Sequence, residues 1–145
     1  MTSASPTPNS ISSEPDELGV SVAIYSSVLE PERMTAMLGC EPSASHLIGE
    51  RAGPQSPPFE RNAWFLKQRY VEPFSVDQAV EELLARIPAE LPTWKVLATH
   101  CEVQVRLALH TDKGTRLHLS SSTVDAVANR SGTVVEDVYD YSDDA

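Results

Sequence analysis

The stretch LHLSSSTVDAVANRSGTVVEDVYD, residues 117–140, contains a complete strand–helix–strand pattern. The serines at 120–122 can cap a helix, its buried apolar stripe is predicted to be Val124, Val127 and Ala128, and Gly132 can end it. The β-branched run after this glycine predicts a final strand. Because no G-x-S-x-G motif is present, the serines suit capping better than nucleophilic catalysis. We interpret the stretch as the closing unit of a small fold.

The segment just before this unit predicts a β-hairpin. Apolar and polar residues alternate from Cys101 to His110 and again around Leu117. A three-residue loop, Asp112-Lys113-Gly114 with Gly114 in the left-handed conformation, would pair Leu109 with Leu117 and keep the apolar residues on one face. A two-residue loop would set polar against apolar residues along the ladder, so we expect the three-residue hairpin.

This hairpin register would place four basic and titratable side chains on one polar face, namely Arg106, His110, Arg116 and His118. Such a cluster could bind an anionic ligand or support acid–base chemistry. The alternative is a solvated outer face with cross-strand polar pairs. We predict these four residues as the ligand-binding set and leave the alternative open.

The C-terminal strand is acidic and carries a tyrosine, through Glu136, Asp137, Tyr139 and Asp140. These residues are the predicted surface for a basic protein partner. The alternative is a solvated acidic end that discourages edge-to-edge aggregation. The spacing lacks the loop glycine and the regular ligand positions of an EF-hand, so calcium binding is not favoured.

The order of the elements predicts the fold class. Capped apolar helices alternate with strand-like runs, the clearest of each being FSVDQAVEELLARIP (74–88) and GVSVAIYSS (19–27). This order favours an α+β fold, a two-layer sandwich with two or three helices packed on one face of a mostly antiparallel sheet. We expect a disordered N-terminal tail over 1–18, a single domain over 19–141 and an acidic end over 142–145. The Pro- and Gly-rich segment 40–61 is either a lid or a plain loop.

Composition excludes several function classes. The 145 residues have a formal net charge of −10, which disfavours nucleic acid and anionic membranes as partners. The sequence shows no secretory signal and no stretch long enough to cross a membrane, so we expect a cytoplasmic protein. The two cysteines form no metal-binding or disulfide pattern, and no phosphate-binding loop is present. We therefore predict no metal, no cofactor and no catalytic residue.

Short motifs spread along the chain resemble one family. They are Leu38-Gly39, Gly49-Glu50, Trp64, Leu119-Ser120 and the pair Asp137 and Tyr139. Together they resemble the bacterial domain of unknown function 4279 family, over roughly residues 19–141. The resemblance implies a small stand-alone α+β domain with no assigned activity. Uncharacterised families of this kind sometimes include immunity proteins against toxins, which is an analogy for this chain.

Three functional hypotheses follow from the sequence. The first is a non-enzymatic protein-binding module, immunity-like in character, that presents an acidic surface to a basic partner. The second is a binder of a small anionic ligand, or an enzyme, that uses the polar His/Arg face. In the third, the polar face is the seam of a homodimer, so the chain is either a monomer or a homodimer.

Overall fold

Within residues 14–140, which this computed structural model describes, the chain forms five strands and four helices. In chain order they are β1 (Glu17–Ser26), α1 (Pro31–Leu38), β2 (Ala44–His46), β3 (Asn62–Val71), α2 (Val76–Ala85), α3 (Leu91–Ala98), β4 (Glu102–Thr111), α4 (Ser121–Asn129) and β5 (Gly132–Asp140). The α+β class predicted from the sequence is confirmed, with four helices where two or three were expected.

The five strands form one mixed sheet in the order β2-β3-β1-β4-β5. β1 lies at the centre, and its Val22 pairs with Leu66 of β3 on one side and Val105 of β4 on the other. The pairings of β1 with β3 and β4, and of β2 with β3, are antiparallel. β5 is parallel to β4, with Val105 opposite Val134.

The hydrophobic core covers one face of the sheet. Alternate residues of β1 are fully or almost fully buried, and their cross-strand partners on β3 and β4 join the same cluster. Each helix adds apolar side chains to this cluster, among them Met34, Leu83, Trp94 and Val127. Removing this apolar surface from water is the main favourable term in the stability of the domain.

Local signals in the sequence fix the ends of the helices. Ser75 and Ser120 cap α2 and α4, because their side chains accept hydrogen bonds from the N–H groups of Gln78 and Thr123. Gly39 closes α1 with φ at 73°, a left-handed conformation in which a side chain would be strained.

The Ser120 cap confirms the expectation from the sequence. The predicted end of α4 is wrong, because Ser131 takes the left-handed conformation, with φ at 60°, and Gly132 begins β5. Of the predicted apolar stripe of α4, Val127 is buried, whereas Val124 and Ala128 are exposed.

The predicted β-hairpin is wrong. Gly114 has the expected left-handed conformation, with φ at 69°, but residues 115–120 make no strand and Leu117 does not pair with Leu109. Both edges of β4 are already occupied, by β1 on one side and β5 on the other. A parallel neighbour needs a long crossover connection, and residues 112–131 provide it through α4.

Residues 17 and 18, which fall within the predicted tail, belong to the first strand. β1 starts at Glu17, Asp16 is buried, and Leu18 is fully buried. The remainder of the predicted tail, residues 1–13, and the predicted acidic end, 142–145, lie outside the described residues. None of the helices within 14–140 combines the length and apolarity required to span a bilayer.

Candidate functional site

The face of the sheet opposite the core carries a groove along β1. The β1 residues on this open face include Gly19, Ser21 and Ala23, which are all small. The register places the longer side chains of Lys67 on β3 and Arg106 on β4 on either side of Ser21. Because neighbouring strands lie about 4.8 Å apart, β3 and β4 are separated by roughly 10 Å. Gly19 and Ser21 are partly exposed, whereas Ala23 is fully buried beneath its neighbours. We call the surface floored by Gly19 and Ser21 the β1 groove.

Gly19 leaves space in the groove that the fold itself does not require. A Cβ atom at position 19 would meet only Ala108 atoms, at 3.9 Å, which is ordinary van der Waals contact. The residue also has no left-handed conformation that would demand glycine. Glycine inside a strand weakens it, and often marks a place where a ligand or another backbone approaches closely.

The charges of the open face are balanced. Three ion pairs span it: Arg69 with Glu17, Arg61 with Glu102 at 2.7 Å, and Arg106 with Asp137 at 3.8 Å. Lys67 makes no ion pair with any described residue, and its ammonium lies 5.3 Å from the centre of the Phe65 ring. The net charge of −10 therefore resides mainly elsewhere on the chain.

A polar cleft of about 580 Å³ lies at the Glu17 end of the groove. Arg69 and His110 line it from the two strands that flank β1, and Gly19 lies between them. The His110 ring stacks on Tyr139, with ring centres 4.7 Å apart and planes 13° apart. This stacking links β4 to β5 on the open face.

A second cleft, which we call the aromatic cleft, lies at the opposite end of β1 and has a volume of about 860 Å³. Tyr25 and Phe65 meet edge to face with ring centres 5.9 Å apart. His46 stacks on Phe59 at 3.5 Å and 9°. The Arg61 guanidinium lies 4.6 Å from the centre of the Tyr25 ring, in cation–π geometry.

Backbone and side-chain hydrogen bonds hold the loop that walls the aromatic cleft. The Gly49 N–H donates to the Phe59 carbonyl at 2.9 Å, and the Phe59 N–H donates to the Glu50 carbonyl at 2.8 Å. The buried Asn62 side chain accepts from the Ile48 N–H at 2.9 Å and donates to the Leu29 carbonyl at 3.0 Å. The Pro- and Gly-rich segment is therefore held together by its own backbone hydrogen bonds and joined to the start of β3 through Asn62.

Two titratable groups around the aromatic cleft have shifted pKa values. Hydrogen bonds from Arg61 and then Gln104 lower the pKa of the Glu102 carboxyl below its usual value. Burial lowers the pKa of His46 below 6.5, against a smaller opposing effect of Glu50. The neutral imidazole is thus favoured against Phe59.

The structure brings together two of the four residues predicted to bind a ligand. Arg106 and His110 lie on the open face, as the alternation of β4 predicted. Arg116 and His118 do not join them, because residues 115–120 form no strand beside β4. Leu117 and Leu119 pack against the core, and Arg116 and His118 are exposed.

The four residues predicted to meet a basic partner do not form one surface. Asp137 and Tyr139 share the open face with Arg106 and His110, which they contact. Glu136 and Asp140 alternate with them along β5 and belong to the other side of the sheet.

Sequence reasoning missed Gly19, Lys67 and Arg69 as groove residues. A pattern that could have identified Gly19 was present, because Gly19, Ser21 and Ala23 form a run of small residues at alternate positions of a strand. The identity of the flanking strands could not be predicted from the pattern alone.

Residues 14–140 contain no group of three or more His, Cys, Asp or Glu side chains that could hold a metal ion. The expected lack of a cofactor stays a prediction.

These features define a class: a small α+β domain with one sheet face packed into the core and the other carrying a groove. A family model described as a domain of unknown function (DUF4279) matches residues 16–141. Since the match spans most of the chain, the protein belongs to this family, and the resemblance inferred from the sequence motifs is confirmed. Comparison with curated proteins and with solved structures gives no match.

Proposed function

We propose that the protein is a non-enzymatic protein-binding module, and that the β1 groove receives an extended segment of a partner protein. The observation that carries the proposal is Gly19. A Cβ atom would fit there without disturbing the fold, so the fold itself does not require glycine. The absence of a side chain leaves space in which the backbone of a partner segment can approach β1 closely.

The shape of the groove supports an extended chain as its occupant. β1 is ten residues long, or roughly 30 Å at about 3.3 Å per residue, and the groove over Gly19 and Ser21 runs along it from the polar cleft as far as the buried Ala23. The central part, over Gly19 and Ser21, is open to solvent. Sites for small molecules usually enclose most of the ligand surface, which this central part does not.

The charges of the groove support a segment with an acidic side chain. Lys67 and Arg106 lie on opposite sides of Ser21, and Lys67 makes no ion pair within the described residues. A partner carboxylate above Ser21 could bind both cations and the serine hydroxyl. A chain with net charge −10 repels an acidic partner at long range. The open face does not add to this repulsion, because its remaining charges are paired.

A phage-displayed library of random linear peptides tests the proposal, panned against the full chain. We expect enrichment of sequences with one Asp or Glu flanked by residues of high β propensity. Ser21→Trp would fill the groove and Lys67→Glu would reverse its unpaired charge, so each should abolish binding of the enriched peptides. Lys95→Glu, at an exposed position of α3, is the control of equal charge change and should leave binding unchanged.

Two outcomes would overturn the proposal. One is the absence of any enriched peptide. The other is enrichment of basic peptides whose binding is insensitive to both groove substitutions. That second result would favour the acidic outer surface of α2 and α4, where Glu82 and Asp125 are exposed, and thus a basic partner.

A further inference from the structure

The aromatic cleft has the composition of a site for a flat ring. Four rings line it, from Tyr25, His46, Phe59 and Phe65, and they come from three strands and the loop before β3. Its volume of about 860 Å³ lies within the range of small-molecule sites, about 300–1,000 Å³. Aromatic faces and edges favour stacked or edge-to-face contact with another planar ring.

The walls of the aromatic cleft are already in place without a ligand. The paired hydrogen bonds between Gly49, Glu50 and Phe59 fix the loop, and Asn62 ties Ile48 to Leu29. Phe59 is in turn stacked on His46, whose β2 backbone pairs with β3. A ligand would therefore order few groups on binding, which lowers the entropic cost of association.

Arg61 supplies a positive charge at the edge of this ring-lined space. Its contact with Glu102 holds the guanidinium over Tyr25 and uses one of the five N–H donors of the side chain. Further donors can bind a carboxylate in the planar geometry that Arg favours. Glu60 also lines the cleft, and together with Glu102 it would repel a ligand with several negative charges.

We propose that the aromatic cleft binds a small planar aromatic molecule bearing a single carboxylate, with the ring among the four aromatic side chains and the carboxylate on Arg61. This site goes beyond the protein-binding function proposed for the β1 groove. It requires neither Gly19 nor Lys67, so the two proposals can fail separately.

Titration of the isotopically labelled full chain with 2-naphthoate, followed by NMR, tests this site. We expect saturable shifts of the Tyr25, His46, Phe59 and Phe65 resonances. Two analogues separate the two requirements: 2-naphthamide keeps the ring without the charge, and cyclohexanecarboxylate keeps the charge without the planar ring. Each should bind about tenfold more weakly or worse, as expected when one charge-assisted hydrogen bond or one stacking surface is lost.

Substitutions locate the site within the chain. Arg61→Gln should weaken 2-naphthoate binding about tenfold and should fold normally, because the side chain is 43% exposed. Phe65→Leu should weaken it as well while keeping an apolar contact. Arg86→Gln changes the same residue type at an exposed position at the end of α2, outside the groove and both clefts, and is the matched control, which should leave the affinity unchanged.

Several results would overturn the proposed site. Unchanged affinity in Arg61→Gln would remove the carboxylate contact, and equal binding of cyclohexanecarboxylate would remove the ring requirement. Shifts centred on Arg69 and His110 would place the ligand in the polar cleft instead. The peptide selections above depend on Ser21 and Lys67, so they can succeed when the naphthoate titration fails, and the reverse also holds.

Discussion

The two sides of β1 differ although they belong to one ten-residue strand. Toward the core, Leu18, Val20, Val22 and Ile24 are all large and at most 1% exposed. Toward the open face, the three central positions are glycine, serine and alanine. The first side carries large apolar side chains that pack into the core. The second carries small residues, although β-branched or aromatic residues would favour a strand. The difference shows that the buried face holds the domain together, and it supports the proposal that the open face serves binding.

The largest expected loss of stability is from truncation of a core side chain on β4, and the adjacent residue on the open face provides the comparison. Leu107 is fully buried, so Leu107→Ala should lower the free energy of unfolding by about 2–5 kcal/mol through lost burial and a cavity. Arg106→Ala, one residue earlier on the open face, should cost at most about 1 kcal/mol. Urea denaturation of both variants measures this contrast. Similar losses from both would show that the open face also carries the fold.

Removal of a buried polar side chain at the edge of the core should cause the next largest loss of stability. Asn62→Ala leaves the Ile48 N–H and the Leu29 carbonyl without their partner, which should cost about 1–3 kcal/mol. Hydrogen exchange should also become faster at Ile48 and at Gly49, while the amides of β4 keep their relative protection. Uniform acceleration over the whole sheet would mean that the loop is not held locally by this side chain.

Substitution of alanine for the strand glycines at positions 19 and 132 compares a site on the open face that has room for a Cβ atom with a site that has none. Gly19→Ala should raise the free energy of unfolding by roughly 0.5–1 kcal/mol, because the Cβ is accommodated and the unfolded chain loses freedom. Gly132→Ala should lower it, because a Cβ there would lie 3.1 Å from Val127 Cγ1 and 3.3 Å from its carbonyl oxygen. Thermal unfolding of the two variants gives the signs. Destabilisation by Gly19→Ala would remove the argument that the fold leaves that space unused.

The smallest effect concerns His46. Its folded pKa is lowered by burial, so the unfolded chain binds more protons near pH 6.5, and stability should fall as the pH decreases through that value. His46→Phe keeps a ring against Phe59 and removes the titration. Chemical denaturation at pH 7.5 and pH 5.5 should show wild type losing more stability than the variant. Equal losses would assign the pH dependence to other groups.

The sequence predicted what depends on local pattern. Alternation along β1 and β4 identified the buried faces, and the serines at 120–122 identified the start of the last helix, which Ser120 caps. It also predicted the left-handed conformation of Gly114, although not the path of the chain after it. It could not predict which strand pairs with β4, because Leu117 and Val134 have equally suitable apolar patterns. The choice depends on the whole sheet.

The same limit explains what was missed at the candidate site. Arg106 and His110 could be placed on the polar face from β4 alone, because alternation needs no partner strand. The groove needs β3, β1 and β4 side by side, which brings Lys67 across from Arg106 and Arg69 across from Ala108. Such neighbours follow from long-range pairing. Arg116 and His118 were included only because a short turn suggested the wrong neighbour.

The register of the sheet also makes the chain a candidate for circular permutation. Glu17 pairs with His110, which pairs with Tyr139, so the start of β1 and the end of β5 lie at the same end of the sheet, two strand spacings or roughly 10 Å apart. A short Gly-Ser linker can bridge this distance. Opening the chain between Gly53 and Pro54, beyond the opposite end of the sheet, would then yield a domain with the same strand order and new ends beside the aromatic cleft.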